Sequence, residues 1–468
     1  MTIDTVTLSS LSKHQNTQTF SSLTKNQKES IGLLSIGTFL EYFDLMLYVH
    51  MAILLNELFF PKTDPNTASL LAAFAFCSTY VFRPFGALLF GYIGDNIGRK
   101  ITLVISTFMM SISCFIMTIL PTYQEIGIWA SIIMISCRIM QSFAATGESI
   151  GAEIYLTETL KPPLSYKVVS WVAEVCTLGS LGALFIATIV LKSHANWRFV
   201  FGLGCIIALV GSASRTRLKE TIEFSDLKRR MKKIIEQTEQ RKFKQASSSL
   251  KEIKVEPITW HEKVGWKTTV AYFLVYSGFP LCFYITYIYG ADVLKKSFNF
   301  SAEQIISHNL NLTFLGFISG ISFIFLAGYF RPLTIVKFRA IIFLFLSPFI
   351  SLWMSSSISL NVFYLVQILS IIFCLGTVPA IPIFFKHFPI LKRFTYSSLV
   401  YSLSRAIMYV VTSIGVIYLV ECFNNSIGIL IIILPVTIGF LWGVLYFEKL
   451  EQEEERSYYR KINACEPE

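Results

Sequence analysis

The chain has 468 residues, 53% hydrophobic and only 15% charged, with a mean hydropathy of +0.58. A soluble domain carries about a quarter charged residues, so the composition excludes an ordinary soluble protein and points to a polytopic membrane protein. The formal net charge of +10 would suit nucleic acid, but its confinement to loops argues against that partner. The nine cysteines are scattered singly, mostly in apolar stretches, and the six histidines do not cluster. Neither set has metal or redox spacing, so no metal site and no cofactor are expected.

Residues 1–30 are rich in Ser, Thr, Gln and Asn. They lack the basic-then-apolar order of a secretory signal and are expected to form a disordered cytoplasmic tail. Apolar stretches follow at 31–57, 68–91, 101–120, 127–150, 168–191, 198–213, 267–290, 304–328, 339–356, 360–385, 396–420 and 427–447. All are read as spans, the shorter ones lying with little tilt. The expected fold is therefore an all-α membrane protein with twelve transmembrane helices. Two six-helix bundles, 31–213 and 267–447, flank a basic linker at 214–266, and a short charged tail, 448–468, follows. With both termini cytoplasmic, 32 of the 40 Lys and Arg residues fall on the inside, five outside and three within spans. That bias fixes the orientation. The linker holds Lys228-Arg-Arg-Met-Lys-Lys233, which reads as a solvated segment beside anionic lipid.

The most specified turn is Gly91-Tyr-Ile-Gly-Asp95-Asn-Ile-Gly98-Arg99-Lys100. Its glycines let two helix ends approach closely, and Asp95 and Arg99 can pair there. It resembles the loop between helices 2 and 3 of the major facilitator superfamily, Gly-x-x-x-Asp-Arg-x-Gly-Arg-Arg/Lys, with Asn96 in place of the usual Arg. The turn at Ala327–Thr334 occupies the position of the repeated copy but lacks the Asp.

Ionisable residues at mid-membrane are functional candidates because each costs several kcal/mol unless paired or hydrated. Glu41 and Asp44 lie ~15 and ~20 Å into the first span, share a face with Tyr48, and repel when both are ionised in a low dielectric. One of them can then carry a proton near neutral pH. Glu41-Tyr-Phe-Asp44-Leu resembles the first helix of the metabolite:proton symporter family. Arg83-Pro-Phe-Gly resembles that family's Arg-Pro-Leu-Gly; the guanidinium either binds an anionic substrate group or compensates the helix 1 carboxylates. Arg138-Ile-Met-Gln141, followed by Gly147-Glu148-Ser-Ile-Gly151, resembles the fourth helix of the same family, with Ser142 and Thr146 replacing glycines. The resemblance gives Arg138 and Gln141 a part in proton coupling or substrate binding, and Glu148 a latch to Arg99. In the second half, Tyr284 and Tyr287 either line a site or pack, Pro379 and Pro382 mark kinks in a span, and Arg405 has no obvious partner and is a further substrate-binding candidate.

The resemblance implies proton-coupled uptake of a small zwitterion of the proline or betaine kind by alternating access. Glu41 or Asp44 would exchange the proton, and Arg83, Arg138, Gln141, Tyr48, Tyr284, Tyr287 and Arg405 would contact substrate. Gly91, Asp95, Gly98, Arg99, Lys100 and Glu148 would gate the cytoplasmic side. A dicarboxylate of the α-ketoglutarate or citrate kind is the alternative substrate; a non-transporting sensor or scaffold on a carrier fold is the alternative of another class. No nucleophile–base pair or phosphate loop suggests an enzyme. The expected partners are a small-molecule substrate, protons and the lipid bilayer, in a bacterial cell inner membrane.

Overall fold

The computed structural model describes residues 23–60, 79–193, 196, 198–221, 223–226, 228, 229, 232, 233, 236, 264–353, 359–423 and 426–463. Among them the chain is helical, with no strand. The first bundle comprises α1 (Lys25–Phe59), α2 (Arg83–Asn96), α3 (Arg99–Ile119), α4 (Ile128–Thr159), α5 (Leu164–Ser193) and α6 (Arg198–Arg215). The second comprises α7 (Trp266–Phe298), α8 (Ala302–Leu326), α9 (Pro332–Trp353), α10 (Leu360–Ile372), α11 (Arg393–Phe423) and α12 (Leu430–Asn463). Nine helices among the described residues are long and apolar enough to cross a membrane; α6 and α10 are shorter apolar helices. Most of the expected tail, the centre of the linker and residues 61–78 lie outside the described residues. The side chain of Tyr48 does too.

Helix ends follow local chemistry. Ser301 and Gln304 form a reciprocal capping box at the start of α8, at 3.2 and 2.9 Å. Gly127 begins α4 at φ 62°, a conformation that favours glycine. Within α7, Pro280 removes a backbone donor, and one turn later Tyr284–Tyr289 winds as a π-helix. The expected span 360–385 is corrected: α10 ends at Ile372 and a separate turn, Ile381–Lys386, follows. Pro379 lies in the non-helical connection between the two instead of at a kink inside one span. Pro382 then sits in the first turn of the new helix, where a missing N–H costs nothing.

Large apolar side chains point outward along the helices, among them Phe85, Phe115, Phe185 and Phe345. In water such a surface would aggregate; in hydrocarbon it is solvated. The two halves cross where α2 packs on α11 and α5 packs on α8. The first crossing depends on missing side chains: a Cβ at Gly91 would come within 2.7 Å of the Thr395 backbone, and one at Gly94 within 2.6 Å of the Phe394 ring. α12 continues past its apolar part to Asn463, through most of the stretch expected to be a short charged tail. There Lys337 meets Glu448 at 2.7 Å, Arg331 meets Glu455 at 3.7 Å, and Lys386 pairs with Glu451 and Glu454. His387, Glu451 and Glu454 come together as potential metal donors, but the Lys386 ammonium already satisfies both carboxylates.

Substituting Gly91→Val is expected to separate α2 from α11. The readout is disulfide cross-linking of cysteines placed at Ala87 and Ser398, whose backbone carbonyl and hydroxyl lie 3.4 Å apart; the cross-linking rate should fall severalfold relative to the same pair with Gly91 intact.

Candidate functional site

The mid-span charges of the first half find one another. Arg83 Nη2 donates to Glu41 Oε1 at 3.3 Å, and Arg138 Nη1 donates to Asp44 at 3.4 Å. Gln141 Oε1 accepts from the same Arg138 nitrogen at 2.7 Å, and the Cys114 thiol lies 3.6 Å from Asp44. All four charged side chains are at most 5% exposed. Taking such groups out of water is affordable only because the pairing is mutual. For Arg83 the geometry is that of charge compensation for helix 1. The pair is incompletely satisfied: Glu41 Oε2 and Arg83 Nε and Nη1 have no hydrogen-bond partner.

The main cavity lies elsewhere. It encloses about 550 Å³ between the halves, and Glu41, Asp44, Arg83, Arg138 and Gln141 are not on its wall. The sequence reading expected these acids to share a chamber with the guanidinium groups; in this conformation neither acid is on the cavity wall, which Tyr42 and Ser149 do line. The cavity's charged residues are Glu153, Glu174, Arg339 and Arg405, with Asp292 and Lys295 towards one end. The Arg405 guanidinium stacks on Tyr401 at 4.5 Å and Phe279 at 5.2 Å. Its Nε and Glu153 Oε2 lack hydrogen-bond partners. Arg339 donates to Val378 O at 3.1 Å and meets the Cys374 sulfur at 3.1 Å, with its guanidinium over Phe323, and its Nε likewise lacks a partner. Tyr287 lines the cavity and its hydroxyl accepts from Thr313 at 3.1 Å. Tyr284 does not line it; its hydroxyl reaches Ser413 O at 3.4 Å.

Sequence reasoning missed Glu153, Glu174 and Arg339 as a group. Glu153 follows Glu148 by five residues on a helix whose resemblance drew attention to Glu148. Arg339 opens an apolar stretch and was counted as a loop base, but it lies within α9 and is 6% exposed. A basic residue directly preceding an apolar run, two turns after a proline at the helix start, is the signal that could have found it.

At the end of the bundle that carries α1's start and α12's finish, a second charged cluster joins the halves. Asp95 accepts from the backbone N–H groups of Phe394 and Thr395, at 3.1 and 2.8 Å, at the N-terminal turn of α11. Arg99 pairs with Asp95 and Glu158, both at 3.1 Å, and donates to Gly94 O and to Ile390 O. Arg393 of α11 joins Glu158 and Glu223, both at 3.2 Å. Glu220 caps α3 by accepting from the N–H groups of Arg99 and Lys100, seated over Gly98. Asn96, where the family has Arg, only caps its own helix through Tyr92 O at 2.9 Å.

The expected Glu148–Arg99 latch is corrected. Glu148 pairs with Arg215 and accepts from Ser106 and Thr107, at 3.1 and 2.8 Å. It sits ten residues, or ~15 Å, deeper along α4 than Glu158, and Glu158 is the acid level with Arg99.

Residues 34–415 match the model of the Major Facilitator Superfamily. Over 204 residues the chain is 33% identical to the proline/betaine transporter of Escherichia coli (strain K12), covering 42% of this chain and 41% of that protein. It is 31% identical over the same length to the glycine betaine/proline/ectoine/pipecolic acid transporter OusA of Dickeya dadantii (strain 3937), again covering 42% and 41%. The chain thus spans about 41% of the length of these curated relatives. Among solved structures, the proton:xylose symporter XylE bound to 6-bromo-6-deoxy-D-glucose superposes with a TM-score of 0.70 at 14% identity, over 90% of this chain and 95% of that one, a likeness of fold. The family match over most of the sequence, with apolar helices in two halves around a charged cavity, places this integral membrane protein: the chain belongs to the major facilitator superfamily.

Proposed function

We propose that the protein takes up a small zwitterionic metabolite of the proline or betaine kind, driven by protons, by alternating access of a cavity between its halves. The observation that carries this reading is the cavity wall around Arg405. An unpaired guanidinium offers a carboxylate site. Glu153 and the rings of Tyr42, Tyr276, Phe279 and Tyr401 in the same wall suit the cationic end, quaternary ammonium included. The names of the partial relatives agree with that class. A dicarboxylate is the second reading, favoured by the presence of two guanidinium groups, Arg339 and Arg405, on one wall.

The cavity reaches Asp292 and Lys295, near the end opposite the Asp95–Arg393 cluster. With twelve spans and cytoplasmic termini in a bacterial inner membrane, this is a conformation closed to the inside. The Glu41–Arg83 and Asp44–Arg138 pairs are the proposed proton-exchange groups. Protonating a carboxylate would release its arginine, so occupancy of the proton site changes the charge balance of the first bundle. Such a change moves the equilibrium only if the two conformations bind the proton differently. The buried pair with unsatisfied atoms meets that condition when the opposite conformation hydrates it.

The test is uptake of radiolabelled glycine betaine into proteoliposomes with an imposed proton gradient, with α-ketoglutarate in parallel. Accumulation of betaine above equilibrium supports the reading; equilibration indifferent to the gradient sinks the symport claim, and accumulation of α-ketoglutarate alone selects the second reading. Glu41→Gln is expected to abolish gradient-driven accumulation while retaining betaine exchange across the membrane. Arg405→Gln should raise KM about tenfold or more, the scale of one lost charge-assisted contact. Glu158→Gln removes the anion shared by Arg99 and Arg393. A cysteine at Ser398, under the α2–α11 crossing, should then react faster with a water-soluble maleimide.

A further inference from the structure

Asn309 of α8 is a buried polar side chain with nothing to bind. It lines the cavity and is 3% exposed, yet its Oδ1 has no hydrogen-bond partner, and its amide nitrogen makes no hydrogen bond among the described residues. A carboxamide offers two donors and two acceptor lone pairs. Leaving them unused in an apolar bundle is costly, so an orphan of this kind calls for a partner from outside the chain. Its surroundings are not so placed. The preceding residue, His308, holds Nε2 at 2.7 Å from Gln367 Oε1, and the Gln367 amide donates to Thr286 O at 2.9 Å.

Two hydroxyls adjoin the orphan. Thr313 lies one turn along α8 on the same face and donates to Asn309 O at 2.7 Å, while the Tyr287 hydroxyl lies 3.1 Å from the Thr313 oxygen. Tyr287 belongs to the π-helical turn of α7, and both it and Thr286 stand on the cavity wall. Inserted turns of this type recur at functional sites. The Tyr287 hydroxyl has Thr313 as its one partner among the described residues and keeps capacity for a second. Asn309, Thr313 and Tyr287 thus form an uncharged hydrogen-bonding patch in the same cavity of about 550 Å³ that Arg405 lines.

We propose that this patch is a subsite for a neutral hydrogen-bonding substituent, a hydroxyl group, on the transported solute, with Asn309 as the residue that selects it. This inference rests on the zwitterion reading of the same cavity and narrows it to hydroxylated members of that class. A hydroxyl both donates and accepts, so it can meet the Asn309 carboxamide and the Tyr287 oxygen at once. A methylene in its place leaves the carboxamide unpaired, and the site discriminates by that difference.

The test is calorimetric binding to the purified full-length protein in nanodiscs, with two ligand pairs that differ by one hydroxyl. They are trans-4-hydroxy-L-proline against L-proline, and 3-hydroxy-4-(trimethylammonio)butanoate against 4-(trimethylammonio)butanoate. In at least one pair the hydroxylated member should bind about tenfold tighter. Asn309→Leu should erase that preference, chiefly by weakening the hydroxylated member, and Tyr287→Phe should reduce it severalfold. Melting temperatures report folding, and Asn309→Leu should melt no lower than the parent because it removes an unpaired amide. Equal affinities within both pairs overturn the proposal and leave the zwitterion reading standing, as does a preference that survives both substitutions. If none of the four ligands binds, the zwitterion reading falls and the subsite falls with it.

Discussion

Among the described residues seven guanidinium groups sit nearly dry, at Arg83, Arg99, Arg138, Arg215, Arg339, Arg393 and Arg405, and a charge in an apolar bundle must be matched or hydrated. Five are ion-paired with carboxylates: Arg83 with Glu41, Arg99 with Asp95 and Glu158, Arg138 with Asp44, Arg215 with Glu148, and Arg393 with Glu158 and Glu223. The other two, Arg339 and Arg405, face the cavity with aromatic rings for company. Matching fixes the helix rotations in the first half, since α1 must turn Glu41 toward α2 and Asp44 toward α4 at once.

The halves are held differently at their two crossings. At α2–α11 there is almost no side chain between the backbones, and the contact is fastened by Asp95 on the amides of Phe394 and Thr395. At α5–α8 a carboxylate, Glu174, lies on a glycine at the cavity's edge. One crossing is sealed by charge and close approach. The other carries a carboxylate that accepts from Thr177. An asymmetry of that kind suits a molecule that closes one end while the other admits solute.

The sequence made helix positions and intrahelical faces legible, because apolar length and the three- and four-residue spacing are local properties. Glu41 and Asp44 could be put on one face and level with Arg83 and Arg138 from counting alone, and the Asp95–Arg99 turn stood out by its glycines. What counting could not supply was the rotation of one bundle against the other. The wall formed by Glu153, Glu174, Arg339 and Arg405 draws on α4, α5, α9 and α11 and depends on that rotation. Glu148 was misassigned because analogy chose an acid without testing its depth against Glu158. The end of α10 at Ile372 was misjudged because apolar residues continue past it, and hydropathy does not register where a backbone leaves the helix.

The segment leaving α6 takes part in the seal. Glu220 covers the first amides of α3, Phe224 is 2% exposed with its ring 4.6 Å beneath the Arg99 guanidinium, and Glu223 reaches across to Arg393. The segment between the two bundles thus lies wrapped over the joint where α2 meets α11. Under the alternating access proposed above, that joint would have to part, and the grip of this segment would then bear on how fast the bundles swing, through residues remote from the cavity.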